Sequence, residues 1–126
     1  MIVINKKAGI APGLISVGIL TINNLRDIEN DARSAKKTLA VRLGKGFAQL
    51  EYLFAIILAS LMPVVIYCYT QDHIWILLSS IISLLSIPAF KIVLTKSDGP
   101  SLNNALGFTG KILLVYSILF AIGWIA

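Results

Sequence analysis

Apolar residues gather along this chain in four long stretches that are separated by polar segments. The stretches run from about Ala8 to Leu25, Ala48 to Thr70, Ile74 to Phe90 and Leu106 to Ala126. A helix that crosses a bilayer needs about 17 to 25 mainly apolar residues, so each stretch is long enough when tilt is allowed. The pattern predicts an all-α membrane protein with about four transmembrane helices, in which residues 1–126 form a single transmembrane region.

Composition and charge agree with a bilayer as the solvent. Hydrophobic residues make up 57% of the chain, charged residues only 13%, and the mean hydropathy is +0.86. Soluble domains are usually about a quarter charged. The net charge of +5 does not indicate nucleic acid as a partner, because the basic residues lie at the ends of the apolar stretches, where they orient a membrane protein.

The basic residues also predict which connections face the cytoplasm. The first connection carries Arg26, Arg33, Lys36, Lys37, Arg42 and Lys45, whereas the second has no Lys or Arg and the third has Lys91 and Lys96. By the positive-inside rule the first and third connections are cytoplasmic, including the segment 26–45, and both termini are outside. Lys6 and Lys7 oppose this orientation but are outnumbered. Four aromatic residues fall on the predicted outer side, as expected for an interfacial belt: Tyr67, Tyr69, Trp75 and Trp124.

The first apolar stretch differs from the other three because it is rich in small residues and contains Pro12. Gly9 and Gly13 are four residues apart, a spacing that allows membrane helices to approach closely. Proline and glycine lower helix propensity, so we expect this helix to need packed neighbours.

The segment with the most chemistry is 23–44, with the sequence NNLRDIENDARSAKKTLAVRLG. If the first helix continues into it, Asn23, Asp27 and Asp31 follow one another at intervals of four residues and lie on one face. Two neighbouring carboxylates at a membrane boundary need solvation, pairing or coordination. Mg²⁺ is bound through one or two carboxylates together with substrate phosphates, so one interpretation is a metal site. The other is a solvated loop of mixed charge.

Basic residues follow the two acids, at Arg33, Lys36, Lys37 and Arg42. They could bind phosphate oxygens that the metal leaves free, or they could anchor the chain to lipid headgroups. Arg26 is expected to pair with Glu29 or Asn30. Acids for a metal and bases for phosphate at a membrane surface favour a lipid diphosphate as the substrate.

The same segment resembles the second aspartate-rich motif of the UbiA superfamily of intramembrane aromatic prenyltransferases, which reads roughly N-N-x-R-D-x-x-x-D-x-x-x-G-K-x-T-L-A-V-R-L-G. The nearest likeness is to the branch that prenylates 1,4-dihydroxy-2-naphthoate in menaquinone biosynthesis. Ala35 stands where the motif has glycine, which predicts a different turn there. The matching residues are Asn23, Asn24, Arg26, Asp27, Asp31, Lys36, Thr38, Leu39, Ala40, Val41, Arg42, Leu43 and Gly44.

The resemblance implies a nine-helix bundle in a bacterial inner membrane, with this chain as helices six to nine. It implies Mg²⁺ as cofactor, Asp27 and Asp31 as metal ligands and catalytic residues, and diphosphate binding by Lys36, Lys37, Arg42, Asn23 and Asn24. The implied reaction joins the prenyl group of a polyprenyl diphosphate to 1,4-dihydroxy-2-naphthoate with loss of carbon dioxide, giving demethylmenaquinone.

The family's other acidic motif, N-D-x-x-D-x-x-x-D, does not occur in this sequence, whose remaining acids are scattered. The expectation is therefore a C-terminal part of a longer enzyme, inactive alone, with a missing N-terminal half as partner. Two alternatives stay open. One is another aromatic prenyltransferase of the same superfamily, and the other is a non-catalytic membrane module or a fragment of a cation transporter.

Overall fold

The computed structural model describes residues 7–126. Helix α1 runs from Ile10 to Arg26, close to the first predicted span. Two short helices follow in the first connection, α2 over Ile28–Arg33 and α3 over Leu39–Leu43. The predicted outer position of the N-terminus itself falls on residues 1–6, which lie outside the described part.

The next helix, α4, runs over Lys45–Thr70. It contains Pro63, which removes one backbone hydrogen bond from the ladder of the helix. The helix begins three residues before the predicted span, because Lys45 and Gly46 extend it beyond the apolar stretch. It ends at Gln71, which has a left-handed backbone conformation with φ of 53°.

The third predicted span is helical but not a uniform α-helix. It begins with a 3-10 helix over Ile74–Ile81, continues as α5 over Ile82–Leu85 and, after a turn at Ser86, as α6 over Ile87–Thr95. Pro88 lies at the start of α6, where its missing N–H costs least. The helix therefore continues five residues past Phe90, where the apolar stretch was expected to end.

The last helix, α7, runs over Gly99–Ile125. The sequence predicted an apolar span that begins near Leu106. The helix begins earlier, because Asp98 caps it by accepting a hydrogen bond from the backbone N–H of Ser101 and Pro100 fits its first turn. The turn between α6 and α7 consists only of residues 96–98.

Three helical segments are long and apolar enough to cross a membrane: Lys45–Thr70, Ile74–Thr95 and Gly99–Ile125, with hydropathies of 2.1, 2.1 and 1.9. The fourth, α1, has 17 described residues, or about 25 Å of helix, slightly less than the roughly 30 Å hydrocarbon core. No strand occurs between residues 7 and 126, so the all-α membrane fold is confirmed.

The helices form one bundle in which α1 packs against α4 and α7, and the third helical segment packs against the same two helices from the other side. Tyr52 of α4 and Thr109 of α7 share a buried hydrogen bond of 2.8 Å, which links opposite helices inside the core. The sequence predicted a close helix approach at Gly9 and Gly13. The structure shows none at Gly13, since no neighbouring heavy atom lies within 4 Å of the position that a Cβ would occupy there. Close packing of α1 occurs instead at Gly18, against Ile56 at 3.3 Å.

The long helices run alternately up and down, so that the first and third connections lie at one end of the bundle and the second connection lies at the other. The first and third connections meet at one end, where Lys45 donates a hydrogen bond to Ser97. At the other end His73 stacks on Trp124, with 4.3 Å between ring centroids, and Lys7 lies over the ring of Tyr69 at 4.1 Å. The aromatic residues thus collect at the end opposite the basic connections.

Candidate functional site

The acidic segment leaves the bundle at the end of α1 without losing its helical spacing. Asp27 interrupts the helix, with φ of −96° and ψ of 12°, and α2 begins immediately after it. The backbone N–H of Asp27 still bonds to the carbonyl of Asn23 at 3.0 Å, and that of Asp31 bonds to the carbonyl of Asp27 at 2.8 Å. The three residues therefore follow one another at single helical turns, as the sequence predicts.

Asn23, Asn24 and Asp27 lie on the side of α1 that the rest of the described chain leaves uncovered. By the helical repeat, they continue the side occupied by the exposed residues Gly13 and Leu20. The opposite side of the helix is packed into the bundle through Ala11, Ile15, Gly18, Ile22 and Leu25. The polar end of α1 thus faces away from the core of this chain.

Asp27 is held by a two-point ion pair with its neighbour Arg26. The guanidinium Nε donates to Oδ1 at 2.9 Å and Nη2 donates to Oδ2 at 3.0 Å. These hydrogen bonds, helped by the charges of Arg26 and Lys36 and opposed by partial burial, hold the pKa of Asp27 below its ordinary value. The carboxylate therefore stays ionised at neutral pH and below.

The third hydrogen bond of Arg26 was not predicted. Its Nη1 donates to the side-chain oxygen of Asn103 at 2.7 Å, so the expected pairing with Glu29 or Asn30 was wrong. The break in the helix at Asp27 turns that carboxylate toward the guanidinium. No local sequence signal identifies Asn103, because it lies 77 residues away and reaches Arg26 only when α7 packs beside α1.

Asp31 has a different environment from Asp27. It is only 9% exposed, and its Oδ1 lies 3.9 Å from the Nζ of Lys36. Its Oδ2 is buried and has no hydrogen-bond partner among the described residues. A buried carboxylate oxygen without a donor is costly, and a cation or a donor supplied by a ligand would satisfy it.

The predicted diphosphate-binding bases are not equally close to the acids. Lys36 lies beside Asp31 and contributes to the field at Asp27. Lys37 and Arg42 are exposed, and their side chains form no hydrogen bond or ion pair with any of residues 7–126. Lys36 is thus the one of these three bases that lies near the acids, and the other two belong to the same connection.

The T-L-A-V-R-L-G part of the motif forms a short capped helix. The Thr38 side chain accepts a hydrogen bond from the N–H of Val41 at 3.2 Å, as an N-cap threonine does. Gly44 ends the helix with φ of 90°, a conformation that favours glycine. The motif thereby fixes the path from the acidic segment to the start of α4.

A cleft of about 400 Å³ opens beside the acids, between the ends of α1, α4 and α7. Its polar wall contains Arg26, Glu29, Asn30, Lys45 and Ser97. Asp27 and Asp31 do not line it, but Arg26, which pairs with Asp27, does.

The described residues contain no group of three or more His, Cys, Asp or Glu side chains that could enclose a metal ion. Two carboxylates, one of them with a free buried oxygen, are a donor set that suits Mg²⁺, which commonly keeps several waters and takes further oxygens from phosphates. The residues present therefore fit part of a magnesium site and not a closed one.

The sequence comparisons point to one family. A family profile described as "UbiA prenyltransferase family" matches residues 8–115. Proteins named 1,4-dihydroxy-2-naphthoate octaprenyltransferase are similar to the chain: that of Mycobacterium leprae is 32% identical over 112 residues, that of Mycobacterium tuberculosis 33% over 112, and that of Escherichia coli 31% over 114. The matches cover 89 to 90% of the chain but 37% of each relative. No solved structure matches the chain significantly.

Proposed function

The chain belongs to the UbiA prenyltransferase family, and from this we propose that it is part of an enzyme that transfers a polyprenyl group from a polyprenyl diphosphate to 1,4-dihydroxy-2-naphthoate. The observation that carries the proposal is the pair Asp27 and Asp31, one helical turn apart at the end of α1, with a buried carboxylate oxygen that has no partner among the described residues. The shared name of the similar proteins supports naphthoate as the acceptor.

The proposal concerns a longer protein, since this chain spans about 37% of the length of the relatives it matches. The uncovered side of α1, which ends in Asn23, Asn24 and Asp27, supports further helices packing there and enclosing a cavity. We propose that those helices supply the family's other acidic motif, N-D-x-x-D-x-x-x-D, and that the chain by itself does not catalyse transfer.

Asp27 and Asp31 are proposed to hold Mg²⁺. When bound, the ion would neutralise charge on the diphosphate as a Lewis acid. The pair with Arg26 keeps Asp27 ionised and oriented, and the second proposed ligand is the buried oxygen of Asp31, which has no hydrogen-bond partner among the described residues. Asp27, whose pKa is held below its ordinary value by Arg26, does not need to lose a proton before it binds a cation at neutral pH.

Lys36, Lys37 and Arg42 are proposed to bind the diphosphate, with Asn23 and Asn24 as further polar contacts. Lys36 is 65% exposed and reaches Asp31 only at 3.9 Å, so it can turn toward an arriving phosphate without breaking a short ion pair. Exposed Lys37 and Arg42 can supply additional positive charge from the same connection.

The chemistry that such a site supports is displacement at an allylic carbon. The C–O bond of the polyprenyl diphosphate breaks and its electron pair leaves with the diphosphate, while the electron-rich ring carbon that bears the carboxylate bonds to the prenyl carbon. Loss of the ring carboxylate as carbon dioxide restores aromaticity and gives the quinol form of demethylmenaquinone. The cationic side chains stabilise the charge that develops on the leaving group.

The test is a set of substitutions in the full-length protein that contains this segment. Asp27→Ala and Asp31→Ala should each lower Mg²⁺-dependent prenyl transfer by about 100-fold or more, a typical loss for a group that stabilises transition-state charge. Asp72→Ala, which removes an exposed acid at the opposite end of the bundle, should leave the rate unchanged. If both motif variants keep the wild-type rate, the proposed site is wrong.

A further inference from the structure

Arg26 contacts two partners that lie far apart in the sequence. Two of its nitrogens donate to the carboxylate of Asp27, and the third donates to Asn103 on the second turn of α7. We infer that Arg26 and Asn103 are positioning residues that fix the carboxylate of Asp27 for cation binding. This inference rests on the proposed function, because it gives Asp27 the role of a metal ligand.

The helix itself does not explain the pairing of Arg26 with Asp27. Adjacent residues on an α-helix do not face each other, and a guanidinium could equally reach residues three or four positions away. The backbone at Asp27 leaves the helical conformation, so its side-chain direction is not set by a regular helix. An anchor outside the segment is needed to select this arrangement, and the 2.7 Å bond to Asn103 is such an anchor.

The arrangement leaves Asp27 able to bind a cation. A carboxylate has about four acceptor sites, and Arg26 occupies two of them. Asn103 is neutral, so it holds the guanidinium without adding charge to the site. The geometry therefore orients the ligand while part of its coordination capacity stays open.

A second hydrogen bond at this end of the bundle provides a control for simple loss of packing. Lys45 at the start of α4 donates to Ser97 in the turn before α7, and this bond does not involve Asp27. Asn104 provides another control, because it is exposed beside Asn103 on α7 and its side chain has no hydrogen bond with residues 7–126.

The experiment measures the Mg²⁺ dependence of prenyl transfer by the full-length protein. In Asn103→Ala the side chains of Arg26 and Asp27 become ordered only when the cation binds, and the entropy lost in that step weakens binding. The half-saturating Mg²⁺ concentration should therefore rise about five-fold. At saturating Mg²⁺ kcat should be nearly unchanged. Asn103→Asp keeps an acceptor oxygen and should need no more Mg²⁺ than the wild type. Lys45→Ala and Asn104→Ala should behave like the wild type.

A second readout does not depend on turnover. Binding of Mn²⁺ to the purified full-length protein, followed by electron paramagnetic resonance, should weaken by a similar factor in Asn103→Ala and not in Asn104→Ala. Wild-type values for Asn103→Ala in both measurements would overturn the inference, as would an equal loss in Asn104→Ala.

An Asp31→Ala arm separates this inference from the proposed function. If Asp31→Ala abolishes Mn²⁺ binding and transfer while Asn103→Ala matches the wild type, only the positioning role is wrong. If Asp31→Ala and Asp27→Ala both keep wild-type Mn²⁺ binding and transfer, the metal site itself is wrong, and the role of Arg26 and Asn103 fails with it.

Discussion

Asp27 and Asp31 have the same side chain and lie one turn apart, yet they differ in burial and in hydrogen-bond partners. Asp27 is 38% exposed at its side chain and has both oxygens paired with Arg26. Asp31 is buried with one oxygen free. Burial of a charge without full pairing destabilises a protein unless a ligand compensates. The cost at Asp31 is thus the residue-level reason for expecting a bound cation there.

Ala35 is a second residue at which the local structure is unfavourable. It stands where the UbiA-type motif has glycine, and its backbone has φ of 57°. A left-handed conformation costs an alanine about 1 to 2 kcal/mol because its Cβ crowds the following carbonyl. Where the motif has glycine, this chain therefore has a backbone conformation that favours glycine but carries alanine.

Ala35→Gly is expected to stabilise the protein by about 0.5 to 1 kcal/mol, since the relief of steric strain exceeds the added entropy of the unfolded chain. Thermal unfolding in detergent would measure this as a higher midpoint. Ala32→Gly is a matched control, because Ala32 is also exposed but lies within α2, where glycine should lower the midpoint. A lower midpoint for Ala35→Gly would contradict the argument.

For single residues, the sequence predicted those features that depend on residues nearby in the chain. The spacing of Asn23, Asp27 and Asp31 could be predicted, because it depends on local backbone geometry. The partner of Arg26 could not, since Asn103 becomes its neighbour only through tertiary packing.

Helix packing in this bundle depends on one very close approach near its aromatic end. A Cβ added to Gly123 of α7 would lie 2.6 Å from the backbone N of Ile76 and 2.6 Å from the carbonyl carbon of Trp75. Backbone atoms cannot move aside as flexible side chains do. The 3-10 helix over Ile74–Ile81 and α7 can therefore adopt this contact only with glycine at that position.

Gly123→Ala is expected to destabilise the bundle by about 1 to 3 kcal/mol, the usual cost of forcing extra atoms into a packed contact. Gly107→Ala is the control on the same helix, because nothing lies within 4 Å of its Cβ position and alanine raises helix propensity. Unfolding midpoints of the two variants should move in opposite directions. Equal midpoints would show that the close approach at Gly123 does not contribute to stability.

The existence and order of the long helices followed from the apolar stretches, but their ends did not. Lys45 extends α4 and Asp98 with Pro100 starts α7 earlier than hydropathy indicates, because capping and helix propensity continue beyond the apolar core. The break of the third segment into 3-10 and α pieces was also missed, since an apolar run does not distinguish those two geometries.

In the molecule as a whole, the acidic segment and the cluster of aromatic residues lie at opposite ends of the bundle. The acidic segment, Lys45 and the start of α7 meet at one end, and His73, Trp124 and Tyr69 meet at the other. The antiparallel order places every basic connection on the same side as Asp27 and Asp31. If the basic side is cytoplasmic, as the positive-inside rule predicts, the proposed site opens to the cytoplasm and can take Mg²⁺ from it.

Cysteine labelling of the membrane-inserted protein tests this orientation. In a background without other cysteines, which includes Cys68→Ser for the one cysteine of this sequence, Asp72→Cys in the second connection should react with a membrane-impermeant maleimide in intact cells whose outer barrier has been removed. Ser34→Cys in the first connection should react only after the membrane is opened. Both positions are exposed in the fold, so a difference in labelling reports the side of the membrane and not burial. The reverse pattern would place the acids outside and would remove the cytoplasmic assignment while leaving the bundle itself unchanged.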